Sequence, residues 1–227
     1  MARIAASSSN AILLSRAERK LLLAGVIVGI TYLTALVLDW RTLQLVTKAV
    51  PVLLLFAWVA QLESQDSRWI GIGLGLSALG DLCLQISASL FLAGLSAFLC
   101  AHLAYIVAFL GRTRRYAMRA AWPVALFGIA AFLWLQPHLG GLTLPVLAYV
   151  VVICLMMWRA WAQVGEAGLE KRAAWLAALG ATSFAISDTL VAYNRFVEPL
   201  LGLQILLMLL YWGGQWGIAA SVLRRAT

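Results

Sequence analysis

Charge is what this sequence has least of. Only 11% of its 227 residues are Asp, Glu, Lys or Arg, against 63% hydrophobic ones, whereas a water-soluble domain holds about 25% charged and about 45–50% apolar residues. A fold with a fully solvated surface is excluded. Histidine is scarcer still: His102 and His138 stand alone on different runs, which rules out a His-x-x-x-His or His-Glu-x-x-His metal site. No phosphate-cradling loop or dinucleotide fingerprint opens a helix, so no metal and no cofactor are expected. Cys83, Cys100 and Cys154 all fall within apolar runs, leaving no disulfide framework to read. No nucleophile elbow is present either, which disfavours Ser-His-Asp catalysis. The net charge of +8 does not point to nucleic acid, because the basic residues lie between apolar runs without interleaved aromatics.

What remains is grease in long blocks, with a mean hydropathy of +0.93. Eight apolar runs, at 21–38, 43–61, 69–87, 90–110, 118–136, 142–162, 173–194 and 199–222, are each about the 20 residues that a membrane-spanning helix needs. The fold expected is therefore all-α, a polytopic integral membrane bundle of about eight helices. Residues 1–20 read as a cytoplasmic N-terminal segment and residues 21–223 as a single transmembrane domain. The run from 21 is too long for a signal peptide and reads as an uncleaved first span.

Orientation follows from the basic residues. With the N-terminus inside, fourteen Lys and Arg fall on the cytoplasmic side, while Arg41, Lys48 and Arg195 fall in the other half. Both termini are thus expected to be cytoplasmic. The Arg112, Arg114, Arg115 and Arg119 loop reads as part of that topology signal, within reach of anionic membrane lipids.

Against this background the ionisable residues inside the spans stand out. An intramembrane charge costs roughly 2.5–3.5 kcal/mol on insertion scales, so a chain that keeps one uses it. Asp81 follows Ala78-Leu79-Gly80, and Asp188 follows Ala185-Ile186-Ser187. Together with Lys48 they lie about six residues below the outer ends of spans 2, 3 and 7, a common depth of ~9 Å at helical rise. They read as one buried acidic site, with the lysine balancing the pair. A purely structural ion triad is the alternative, although small residues serve packing better. Pro51 is expected to kink span 2 beside Lys48. His102 and Tyr105 share a face of span 4, and Tyr211 and Gln215 share one of span 8, where they would complete the lining. Asn194 and Arg195 end span 7 at the level of a lipid phosphate; Arg195 either binds it or snorkels to bulk headgroups.

Several of these stretches carry a resemblance. Thr47-Lys48-x-x-Pro51, Gly80-Asp81, Phe98-Leu99-x-Ala101-His102-x-x-Tyr105, Ser187-Asp188-x-x-x-Ala192-x-Asn194-Arg195-Phe196 and the Gln215 region resemble the YhhN and TMEM86 family of lysoplasmalogenases. One departure is Lys48-Ala49-Val50-Pro51 in place of Lys-Pro-Leu-Pro. The resemblance implies an eight-span hydrolase that cleaves the vinyl ether bond of lysoplasmalogens, releasing a fatty aldehyde and a glycerophosphoethanolamine or glycerophosphocholine. It also implies Asp81 and Asp188 as catalytic residues, with a lysophospholipid and water as the reactants. Acid cleavage of a vinyl ether needs one protonated carboxyl and one carboxylate, and two aspartates sharing a dry site supply both.

Two other classes use paired intramembrane carboxylates: a proton-coupled lipid or solute transporter, and an intramembrane aspartyl protease, whose Gly-x-Gly-Asp and Pro-Ala-Leu elements are missing. A noncatalytic lipid-binding protein would bind without turnover. No obligate protein partner is inferred, and short loops lean towards a bacterial inner membrane.

Overall fold

The structure is a computed structural model that describes residues 15–222. The expected segment 1–20 and the boundary at 223 therefore lie partly outside the described residues. Among those described, every regular element is helical: α1 (Arg16–Val37), α2 (Arg41–Thr47), α3 (Val50–Val59), α4 (Gln65–Ile86), α5 (Phe91–Arg112), α6 (Met118–Leu135), α7 (Thr143–Trp161), α8 (Lys171–Phe196) and α9 (Leu201–Ala220). With α2 and α3 in line as one span, eight helical stretches are long and apolar enough to cross a bilayer. The chain is an integral membrane bundle, and its spans fall where the apolar runs do.

Local chemistry sets the helix starts. Ser15 and Glu18 form a reciprocal capping box on α1, and Ser64 and Ser67 do the same on α4, each satisfying two otherwise orphaned backbone donors. Glu18 also accepts the Trp58 indole N–H at 3.0 Å, tying α1 to α3.

The second span departs from expectation. A kink at Pro51 was expected; instead the helix ends at Thr47 and restarts at Val50, with Lys48 and Ala49 between. Pro51 sits in the first turn of α3, where the missing N–H costs nothing and the fixed φ favours a helix start. Proline here opens a helix, and Lys48 is left at the seam of two half-helices.

Two tight helix pairs form the centre. Lipid gives little hydrophobic drive between helices, so close backbone approach through small residues takes over. A Cβ on Gly180 would stand 2.8 Å from the Gly214 carbonyl oxygen, and Gly214 and Gly217 press back on α8 as closely. The α8–α9 pair is thus joined backbone to backbone. In the α4–α5 pair the glycines of α4 receive aromatic rings: Gly73 takes Tyr105 and Gly80 takes Phe98. Asp81 rides on one pair and Asp188 on the other. Both α1 and α6 lie outside, with Leu23, Ile27 and Ile30 or Leu126, Ile129 and Leu133 exposed, as lipid-facing helices require.

One end of the bundle is sealed by polar contacts. Arg112 bonds to Asp66 at 3.2 Å, to Gln163 at 3.2 Å and to Ser221 at 3.0 Å, joining four segments. Arg159 donates to the Thr113 and Arg115 carbonyl oxygens. Within the basic loop, Arg112 is buried with a carboxylate partner, while Arg114 is exposed.

Candidate active site

The opposite half holds a cavity of about 400 Å³, within the range of small-molecule sites. Its wall takes residues from both halves of the chain: Lys48 at the helix break, Asp81 on α4, Phe98 on α5, Tyr149 on α7, Asp188 on α8 and Tyr211 on α9. Ala131 and Leu135 of α6 with Val146, Val150 and Ile153 of α7 give the cavity an apolar wall. A polar end carries Gln44, Gln85, Ser87, Asn194, Arg195 and Gln204.

Asp81 and Asp188 face this one space but keep different company. Asp81 is buried, accepts the Tyr211 hydroxyl at 2.7 Å and has the Lys48 ammonium 4.0 Å away. Lys48 therefore balances Asp81 specifically and makes no ion pair with Asp188, a correction to the expectation that it serves both. Asp188 instead has His102 Nε2 at 3.2 Å from Oδ2, and the Tyr149 hydroxyl donates to the same oxygen. Tyr149 and His102 Nε2 are themselves 3.0 Å apart. An uncompensated charge in low dielectric is expensive; each carboxyl is met by a phenol and a nitrogen.

Beneath lies an aromatic floor centred on Phe184, one helical turn before Asp188. It meets Phe98, His102, Tyr105 and Tyr211 edge to face at 4.9–6.4 Å between centroids, contacts worth about 0.5–1.5 kcal/mol each beyond burial. The floor fixes His102 and Tyr211, and through them the two acids.

Other expected residues lie elsewhere. Tyr105 donates to Gln215 at 2.7 Å, and both are fully buried behind the floor. Gln215 does not line the cavity, contrary to expectation; the pair ties α5 to α9. Asn194 accepts the Leu200 N–H at 2.8 Å, closing the turn from α8 to α9, while still lining the polar end. Arg195 lines that end with its guanidinium 5.2 Å over the Phe91 ring, which holds it at the rim.

Tyr149 went unnoticed in the sequence. Its signal was there: a phenol inside Ala148-Tyr149-Val150, away from the interfaces where tyrosines normally gather. Gln44 and Gln85 likewise sit in apolar runs and bond to each other at 3.2 Å, bracing α2 against α4 at the polar end.

A cavity with two unlike carboxyls, an apolar wall and a basic rim has the lining that an amphiphile needs. The comparisons agree in kind. The YhhN family profile matches residues 43–222, nearly every element just described. The chain is 34% identical over 179 residues to human lysoplasmalogenase TMEM86B, covering 78% of this chain and 74% of that one. It is 38% identical over 170 residues to a lysoplasmalogenase of Mycobacterium bovis, covering 71% of this chain and 61% of that one. No solved structure matches. With the match beginning within the broken second span and running past the end of α9, the chain belongs to the YhhN family.

Proposed function

We propose that the protein is a membrane lysoplasmalogenase that cleaves vinyl ether lysophospholipids with Asp81 and Asp188 as an acid and carboxylate pair. The observation that carries this reading is the convergence of the two carboxyls on one cavity with opposite surroundings, one beside a cation and one not. The names of the relatives supply the substrate class.

A vinyl ether is opened by a proton delivered to its outer carbon. One protonated aspartate donates it, and the C=C electrons form the new C–H bond. The oxocarbenium ion left behind is stabilised by the other, ionised aspartate, which also orients water. Water captures the cation as a hemiacetal, and the C–O bond to glycerol then breaks to give aldehyde and alcohol. Two aspartates sharing low dielectric do not both ionise, so the division of labour is built in. The apolar wall from α6 and α7 takes the alkenyl chain, and Arg195 takes the phosphate.

The cavity wall comes from one half of the bundle, and the other half is closed by Leu74, Ile70, Phe109 and Met156, all fully buried, and by the Arg112 contacts. The excess of Lys and Arg around that closed end supports placing it in the cytoplasm. A bacterial inner membrane is the setting we propose, supported by the mycobacterial relative.

Purified protein with a lysoplasmalogen should release aldehyde, and in D₂O that aldehyde should carry one deuterium on the carbon beside its carbonyl. The saturated 1-O-alkyl lysolipid should bind and survive. Binding of both lipids without aldehyde release would overturn the reading.

A further inference from the structure

We propose that Asp188, one oxygen of which is held by Tyr149 and His102 while the lysine pairs with Asp81, is the proton donor of the pair, with Asp81 its carboxylate partner. The inference rests on the hydrolase reading for its chemistry, and on hydrogen-bond geometry for its assignment.

The protons can be counted. A phenol has one O–H, and that of Tyr149 is given to Asp188 Oδ2. His102 Nε2 approaches both Asp188 Oδ2 and the Tyr149 oxygen, so that nitrogen carries its own proton and donates. The other ring nitrogen, Nδ1, is buried with no hydrogen-bond partner. An imidazolium would leave an N–H stranded there, whereas the neutral ring leaves only a lone pair, the smaller loss. The contacts at Nε2 and the bare Nδ1 fit a ring that donates from Nε2, and among the described residues no lysine or arginine pairs with Asp188.

Asp81 is the opposite case. A lysine ammonium stands 4.0 Å from it, at the seam where α2 ends, a countercharge for a carboxylate there. With one shared cavity, the charge settles on Asp81 and the proton on Asp188.

The two donors also choose the oxygen. Both engage Oδ2, and His102 is fully buried, yet the Asp188 side chain keeps 13% of its surface open on the cavity wall. Oδ1 is the oxygen that neither donor engages, and it carries the transferable proton, while Oδ2 is its carbonyl. As Oδ1 gives its proton to the outer vinyl carbon, the negative charge that appears on Asp188 is already met by two donors, an arrangement that stabilises the transition state more than the ground state. When water bonds to the cationic carbon its proton returns to Asp188. The hemiacetal hydroxyl then loses its proton as the glycerol oxygen leaves with one. Tyr149 and His102 touch no reacting atom and act by positioning.

Two measurements test this. In infrared difference spectra at neutral pH the parent should show the carbonyl stretch of a protonated carboxylic acid. Asp188→Asn should abolish that band, and Tyr149→Phe should shift it upward as the carbonyl loses a donor. Persistence of the band in Asp188→Asn would overturn the assignment. In steady-state assays Tyr149→Phe should lower kcat by about 10- to 100-fold, the worth of a hydrogen bond to a charge that develops in the transition state. Its Kd for the saturated ether lysolipid should stay within about two-fold of the parent, since that lipid develops no charge. His102→Gln, which keeps an N–H donor, should retain more activity than His102→Leu. A Tyr149→Phe protein with parental kcat, or one whose kcat and Kd fail in proportion, would overturn the positioning role. An Asp188 band in a parent that releases no aldehyde would instead separate the failures: the proton would stand where placed and the hydrolase reading would fall.

Discussion

The Asp81 and Asp188 corners of the cavity use the same side chain on similar helix-pair scaffolds, and differ in what stands behind each. At Asp81 the nitrogen partner is a lysine ammonium from a broken helix; at Asp188 it is an imidazole from an unbroken one. Both carboxyls receive a tyrosine hydroxyl, so the phenols equalise and the nitrogens distinguish. Chemical inequality between two identical residues is thus achieved by neighbours that neither helix supplies itself.

The comparison is broken most severely at the acids. Asp81→Asn and Asp188→Asn should each lower aldehyde release by about 10²- to 10⁴-fold, the usual worth of acid–base assistance, with folding checked by gel filtration in detergent. A retained rate in either would mean that the two corners do not act together.

Removing the cation should come next. Lys48→Met leaves Asp81 facing low dielectric alone and should destabilise by about 3–5 kcal/mol, the cost of orphaning one member of a buried pair. The Lys48→Met, Asp81→Asn double variant should recover much of that Tm loss. No such rescue is expected between Lys48 and Asp188, and a thermal shift series reads both.

Arg195→Gln should act on binding rather than on chemistry. KM for a lysophospholipid should rise by about 5- to 20-fold, with kcat kept, as expected for loss of a charge-assisted contact on the order of 1–2 kcal/mol. An alkenylglycerol without phosphate should show no change. The smallest effect is expected behind the floor: Gln215→Met removes the acceptor of the Tyr105 hydroxyl, should cost about 1 kcal/mol and lower Tm by a few degrees, with kcat within about two-fold of the parent.

Much of the architecture was legible because a membrane leaves a chain few choices. Runs of about twenty apolar residues must be helices, and the eight in this sequence are. The break in span 2 was not legible from apolarity, which continues unbroken through Ala49-Val50; only the first-turn preference of Pro51 hinted that a helix begins there. The polar intramembrane residues announced themselves by their cost, but cost does not name a partner. Nothing near Tyr149 in sequence points to Asp188, and nothing in four neighbouring arginines says that Arg112 turns inward to Asp66 while Arg114 does not. Pairings between distant spans are decided by which faces the glycine seams press together, and that is a property of the assembled bundle.

Gly80 carries a consequence of its own. An added methyl there would meet the Phe98 ring at 2.6 Å, and Phe98 both lines the cavity and rests on Tyr211 and Phe184. The residue with no side chain is therefore a dimensional standard for the reaction chamber. Reshaping that chamber from this side demands a matched exchange, one helix gaining the bulk that the other gives up, so single substitutions offer variation or engineering little room to alter which lipids fit.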